Sequence, residues 1–178
     1  MQMQKGINYL DKEKTIEELI DSYGKKLTNF VYTYVKDWGI AEDITQEVFI
    51  TVFKKLDSFN NHSSLKTWVY TIAANKSKDY LRKGYFKKNI LSNMIRFIMS
   101  EEKTPEKVLL EKVHHLELAE SFMKLPVNYR EVIFLYYYEE LSTTEISELL
   151  ETKISTVKSR LIRARKILKN HFQERGDS

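Results

Sequence analysis

The sequence predicts an all-α protein of two small helical domains joined by a flexible linker, and three observations carry that expectation. Only five Gly and two Pro are spread over 178 residues, too few to punctuate a set of hairpins. The recurring apolar patterns have helical period, and the 42% hydrophobic content is enough to bury real cores. Between Gly84 and Pro105 that pattern weakens, which divides the chain into residues 1–84, a linker over 85–105, and residues 106–178.

Thr15 and Glu18 have capping-box spacing, in which a hydroxyl and a carboxyl satisfy the first backbone N–H groups of a helix. The helix they are expected to open turns Leu19, Ile20, Tyr23, Leu27, Phe30, Val31 and Tyr34 inward and ends at Trp38 and Gly39. A second helix is expected from about Ala41 to Leu56, with Ile44, Val48, Phe49, Val52 and Leu56 inward. Its opposite face gathers Asp43, Gln46, Glu47, Ile50 and Lys54. An exposed Ile among acidic and amide groups fits docking on a protein surface, or a solvated face with one stray apolar residue.

The loop Ser58 to Ser64, SFNNHSS, is rich in side chains that bond their own backbone or a nucleobase, and Ser63 or Ser64 is placed to cap the next helix. That helix carries Leu65, Trp68, Val69, Ile72 and Ala73 inward. From Asn75 to Lys88 the cations Lys76, Lys78, Arg82, Lys83, Lys87 and Lys88 meet Asp79 alone, with Tyr80, Tyr85 and Phe86 interleaved. Cations beside aromatics favour single-stranded nucleic acid, whose bases stack. Trp68 and Tyr80 read first as core residues, the usual place of large aromatics at helical spacing.

In the linker, NILSNMIRFIMS is apolar without a clean stripe, and EEKTPE is acidic and broken by proline. The C-terminal unit is expected to open with a helix from Glu106 to about Lys124 and a turn at Leu125 to Asn128. A helix from Tyr129 to Tyr138 follows, capped by Asn128 with Glu131. Two short helices around a tight turn complete it. Ser142 and Glu145 have capping-box spacing, Ile146, Leu149 and Leu150 form an inward stripe, and Thr152 to Ile154 break the chain before a helix that starts near Ser155. On that last helix Ile154, Val157, Leu161, Ala164 and Leu168 share one face, leaving Ser155, Thr156, Ser159, Arg163 and Lys166 outward, flanked by Lys158, Arg160 and Arg165. The pattern is that of a DNA-reading helix-turn-helix, whose short hydroxyls approach base edges while longer cations reach phosphates.

An amphipathic hairpin with a solvated basic face is the plain alternative, but such a face usually mixes its signs. Here Thr152 to Arg175 carries eight cations against Glu174, a net +7, whereas Glu106 to Glu151 carries ten Glu against four cations, a net −6. The chain total of +4 hides this polarity. Segregated positive charge suits a polyanion, because each neutralised phosphate releases counterions.

Other chemistries find no support. The absence of Cys removes disulfides, thiolate metal sites and Cys nucleophiles together. There is no Gly-rich phosphate loop, HExxH or nucleophile elbow. His114 and His115, neighbours on a helical run, point about 100° apart and cannot easily share one ion. No enzyme, cofactor, metal or small-molecule substrate is therefore expected. The opening residues lack the long apolar core of a signal peptide, and no run of about 18 apolar residues follows, so a soluble cytoplasmic protein is expected.

In this order and spacing the segments resemble the bacterial sigma-70 family, specifically the compact extracytoplasmic-function sigma factors, over roughly the whole chain. AEDITQEVFITVFKKL is similar to their region 2.2, which docks on the clamp helices of the RNA polymerase β′ subunit. The resemblance thus implies a core-polymerase surface of Asp43, Gln46, Glu47, Ile50 and Lys54. SSLKTWVYTIAANKSKDYLRK resembles regions 2.3 and 2.4, which melt and read the −10 promoter element, and the Asn60 to Ser64 loop falls where the family captures a flipped non-template base. The −10 contacts implied are Asn60, Asn61, His62, Ser63, Ser64, Lys66, Tyr70, Asn75, Lys78, Arg82 and Lys83. LPVNYREVIFLYYYEELSTTEISELLETKISTVKSRLIRARKIL resembles region 4, whose recognition helix reads the −35 element. It implies −35 contacts from Ser155, Thr156, Lys158, Ser159, Arg160, Arg163, Arg165 and Lys166.

The resemblance also implies contact with the polymerase β flap, an anti-sigma factor, often membrane-bound in the family, and a stress or envelope-response regulon. Thr71 and Ala74 stand where the family often has Arg, and Glu140 and Thr152 where it often places Gly, so local differences are expected there. Two other readings stay open at this point. A stand-alone helix-turn-helix regulator, its N-terminal half a ligand or dimerisation domain, would bind duplex tightly by itself, and a helical adaptor for acidic proteins would have no promoter-dependent activity.

Overall fold

The computed structural model describes residues 9–59, 62–83 and 118–176, and every regular element among them is helical. Expectations that fall on Asn60, Asn61, the 85–105 linker, the helix before 118 and the paired histidines lie outside the described residues. The chain divides into two compact units on either side of the Phe86–Lys87 junction.

The first unit packs α1 (Tyr9–Val35), α2 (Trp38–Lys55) and α3 (Leu65–Arg82) pairwise, with a 3₁₀ turn at Leu56–Ser58 closing α2. Its core takes Leu27, Phe30, Val31 and Tyr34 from α1, Val48 and Val52 from α2, and Val69, Tyr70 and Ala73 from α3. Each of the larger side chains is worth about 1.5–3 kcal/mol of burial. The Phe30 ring sits 5.2 Å from both Tyr34 and Tyr70.

Two boundaries differ from the sequence expectation. Helix α1 begins before Thr15, whose hydroxyl donates to the Asp11 carbonyl at 2.8 Å, so Thr15 lies inside the helix and does not cap it. Its expected inward set is buried except for Tyr23, which is half-buried, and Ile20, which faces solvent. At the other end α1 stops at Val35, because Lys36 turns left-handed (φ 57°) and Asp37 starts a new helix by accepting the Ile40 N–H on Oδ1 at 3.0 Å. Trp38 therefore opens α2 and stacks on Tyr32 at 4.1 Å. Burial, and then the Asp37 carboxylate, push the Tyr32 phenol above its ordinary value. The inward set of α2 is buried as expected.

The second unit comprises α4, described over 118–124, with α5 (Val127–Tyr137), α6 (Thr143–Leu149) and α7 (Ile154–Gly176). Helix α7 packs on α5 and α6, burying Val157, Leu161 and Ala164 among Val132, Leu135, Ile146 and Leu149. Helix α5 starts before Asn128: the Pro126 carbonyl accepts from Tyr129 and Arg130 at 2.9 and 3.1 Å. The expected Asn128 cap with Glu131 is thus replaced by a proline start, and Glu131 lies buried in the helix. Buried Arg130 donates to the Met123 carbonyl at 3.1 Å and to the Leu125 carbonyl, fixing the bend after α4.

The Ser142–Glu145 capping box forms as expected. Glu145 Oε2 accepts from Ser142 N–H at 2.8 Å, and Ser142 Oγ accepts from Glu145 N–H at 3.2 Å. The turns on either side of α6 use left-handed Glu140 (φ 55°) and Glu151 (φ 50°). Glu140 meets the expected departure from Gly, while in the second turn the residue concerned is Glu151, one before Thr152. Ile154, expected inward, is exposed at the start of α7.

Candidate nucleic-acid interfaces

In the first unit α2 turns Asp43, Gln46, Glu47, Ile50 and Lys54 to solvent, with Ile50 54% exposed. Glu47 Oε2 accepts from Lys76 Nζ of α3 at 3.2 Å, joining this face to the basic stretch of α3. An exposed pair of this kind contributes at most about 1 kcal/mol, so it orders side chains more than it stabilises the fold.

Ahead of α3, Ser64 Oγ accepts from Thr67 N–H at 3.0 Å and shares a 2.8 Å hydrogen bond with the Thr67 hydroxyl. Ser64 is the cap, and its hydroxyl is committed to the helix. His62 is exposed and Ser63 half-buried. The Phe59 and Trp68 rings pack on each other with centres 5.0 Å apart, a contact that the sequence reading did not assign.

Along α3 the implied contacts separate. Asn75 and Arg82 are exposed and Lys78 half-buried, and by helical register the three share one face. Lys83 is exposed beyond them, and Arg82 also pairs with Asp79. Half-buried Lys66 falls on a different face. Tyr70 is corrected: at 0% exposure beside Phe30, its ring belongs to the core and offers no face to a base. Its register points toward α1, a fact that an aromatic beside a polar loop conceals in the sequence.

In the second unit the outward side of α7 carries exposed Ser155, Lys158, Arg163 and Lys166, with Thr156 and Ser159 half-buried. Ser159 Oγ turns back to the Thr156 carbonyl at 3.0 Å. Ile162, 64% exposed, stands on the same side, unassigned by the sequence reading although it lies one turn from both Lys158 and Lys166. Ser147, Glu148, Glu151, Thr152, Lys153 and Thr156 line a shallow groove at the turn.

Two of the expected cations are engaged within the protein. Arg160 Nη1 lies 3.0 Å from Glu131 Oε1 of α5, and Arg165 Nε donates to Tyr137 Oη at 2.7 Å. Among the described residues no cluster of His, Asp and Glu could hold a metal ion, and no helix is long and apolar enough to cross a membrane.

Two family models match the chain: Sigma-70 region 2 over residues 19–85 and Sigma-70, region 4 over residues 115–168. The ECF RNA polymerase sigma factor SigW of Bacillus subtilis is 30% identical, with 98% of each chain covered. SigM of the same organism is 32% identical, covering 87% of this chain and 93% of its own. The ECF RNA polymerase sigma-E factor of Escherichia coli is 30% identical, covering 90% and 88%. Among solved structures, the sigma factor RpoE in complex with the anti-sigma factor NepR from Bartonella quintana superposes with a TM-score of 0.70 at 22% identity, covering 90% of this chain and 98% of its own. CnrH in complex with the cytosolic domain of CnrY gives a TM-score of 0.66 at 22% identity, covering 91% and 90%. At that identity the structural likeness concerns the fold.

Proposed function

The chain belongs to the extracytoplasmic-function branch of the sigma-70 family, RNA polymerase sigma factors of transcription initiation, and we propose how its parts share that work. Residues 1–84 bind core polymerase and open the −10 element, 85–105 link the units, and 106–178 read the −35 element. The observation that carries this division is the coexistence of two differently built surfaces on one chain. One is an apolar and acidic α2 face beside a basic α3; the other is a capped helix-turn-helix with cations on its outer side. A stand-alone regulator would use only the second surface for DNA and give the first half to a ligand or a second copy, a reading that the match to both sigma-70 regions does not favour.

Asp43, Gln46, Glu47, Ile50 and Lys54 dock on the β′ clamp helices, with exposed Ile50 as the apolar anchor. Opening DNA costs stacking and pairing, so a melting surface needs cations for the backbone and a shaped site for an extruded base. Asn75, Lys78, Arg82 and Lys83 supply the first, and His62 and Ser63, beside the packed Phe59 and Trp68 rings, supply the second. Helix α7 enters the major groove, where Ser155, Thr156 and Ser159 approach base edges and Lys158, Arg163 and Lys166 approach phosphates. Region 4 also meets the β flap.

Solved structures of similar fold bound to anti-sigma factors support regulation by such a partner, and the extracytoplasmic-function relatives support a stress or envelope-response regulon. Sigma-factor relatives support a role without catalysis. The test is in vitro transcription from fragmented genomic template of the source organism, using bacterial core polymerase with and without the protein. Discrete new 5′ ends sharing −35 and −10 motifs are expected. None, with a core enzyme shown competent by another sigma factor, would contradict the assignment. Co-purification at native levels is expected to bring polymerase subunits and an anti-sigma factor. Polymerase subunits alone, under inducing and non-inducing conditions alike, would remove the latter.

A further inference from the structure

Helix α7 is fastened to α5 at two points that its DNA-facing side does not use. Glu131 is 3% exposed and the Arg160 side chain 25%, with 3.0 Å between the charged atoms. A carboxylate taken out of water is costly unless partners replace its hydration, so this contact is a fixed point and not a fluctuating surface pair. In the last turn of α5, Tyr137 Oη accepts the Arg165 Nε–H at 2.7 Å. The Arg165 guanidinium lies 5.5 Å from the Tyr137 ring centre and 5.6 Å from that of Tyr136. By helical register Arg160 and Arg165 sit about 70° to either side of the buried Val157, Leu161 and Ala164 stripe. Lys158, Arg163 and Lys166 point farther away from it, by about 90° or more.

We propose that Glu131, Arg160 and Arg165 are positioning residues: one strut on each flank of the buried stripe sets the roll of α7 about its own axis, and neither arginine neutralises a DNA phosphate. The inference rests on the −35 role proposed for α7. Roll matters because base-edge hydrogen bonds require donor–acceptor distances of about 2.7–3.2 Å. General attraction to the phosphate backbone has no such tolerance limit. Losing a strut therefore lowers sequence preference and leaves the electrostatic count unchanged. Sequence reading placed Arg160 and Arg165 among the −35 contacts because periodicity shows on which side a Cβ emerges. It does not show what a long side chain meets on another helix.

The test uses the full-length chain and a 20-bp duplex of unrelated sequence, titrated over a series of KCl concentrations. K158Q, R163Q and K166Q are each expected to reduce the slope of log affinity against log salt by up to about 0.9, one phosphate contact apiece. E131Q, R160Q and R165Q are expected to leave it unchanged. With core polymerase, E131Q, R160Q and R165Q are each expected to lose about 10-fold in preference for a mapped promoter over the same promoter with a scrambled −35 element. The E131Q/R160Q double variant should lose no more than either single one. R165K keeps the charge but not the planar fork and stacking, and should behave as R165Q. A role confined to holding the fold would leave the preference intact in variants with unchanged circular dichroism; should R160Q not fold, the milder E131Q tests the same strut. A slope reduction in R160Q or R165Q equal to that of K166Q, or rescue by R165K, overturns the proposal. If no cation of α7 alters the slope, the −35 reading itself fails and the proposal with it; that result is distinct from failure of the struts alone.

Discussion

Glu151 holds the turn between α6 and α7 at a φ of 50°, with its N–H bonded to the Glu148 carbonyl at 3.2 Å and the Thr152 N–H to the Ser147 carbonyl at 2.9 Å. A side chain at left-handed φ costs roughly 1–2 kcal/mol, of which glycine would recover all but its own chain-entropy penalty of about 0.5–1 kcal/mol. Glu151→Gly is therefore expected to stabilise the second unit by about 0.5 kcal/mol in urea unfolding. Ser142→Ala, which removes the capping hydroxyl a few residues earlier, should cost about 1 kcal/mol. Equal losses from both would contradict this account of the turn. The two sites also show what was legible. Ser142 and Glu145 announce their box by spacing because the bonds are local. The same spacing at Thr15 and Glu18 misleads, because a hydroxyl three residues before a carboxyl serves as well inside a helix, where Thr15 bonds back to Asp11.

Helix α2 displays the division of labour most openly, since one face is sealed and the other is available. Val48 is fully buried, while Ile50, two residues on, is 54% exposed. Ile50→Asp is expected to change unfolding free energy by no more than about 0.5 kcal/mol and to weaken capture of core polymerase at least 10-fold. Val48→Ala is expected to do the reverse, costing about 2 kcal/mol through the cavity it leaves while sparing capture by the protein that remains folded. Undiminished capture by Ile50→Asp would remove the docking role from this face. Both faces of α2 were legible because its inward set repeats at helical period over four turns. The junction before it was not, because Gly39 draws attention as a helix stop, whereas the left-handed residue is Lys36 and the new helix hangs on the Asp37 cap. Tyr70, a −10 contact implied by the resemblance, is instead core, because α1 sets Phe30 against its ring.

For the whole molecule, charge and order along the chain carried most of the function. A net +4 chain hides a last helix of strong positive charge, preceded by an acidic stretch of opposite sign, and polyanion binding follows from that separation. What no linear pattern could convey is which cations are already engaged across helices, as Arg160 is with Glu131. Two reading units tethered by one linker and held on one polymerase should measure the distance between promoter elements. The direct test is transcription, with core polymerase and this protein, from a mapped promoter whose −35 to −10 spacing is lengthened by half a helical turn, about 5 bp. The account predicts loss of the transcript, because the two elements then face opposite sides of the duplex. Initiation indifferent to that spacing would contradict simultaneous reading by the two units.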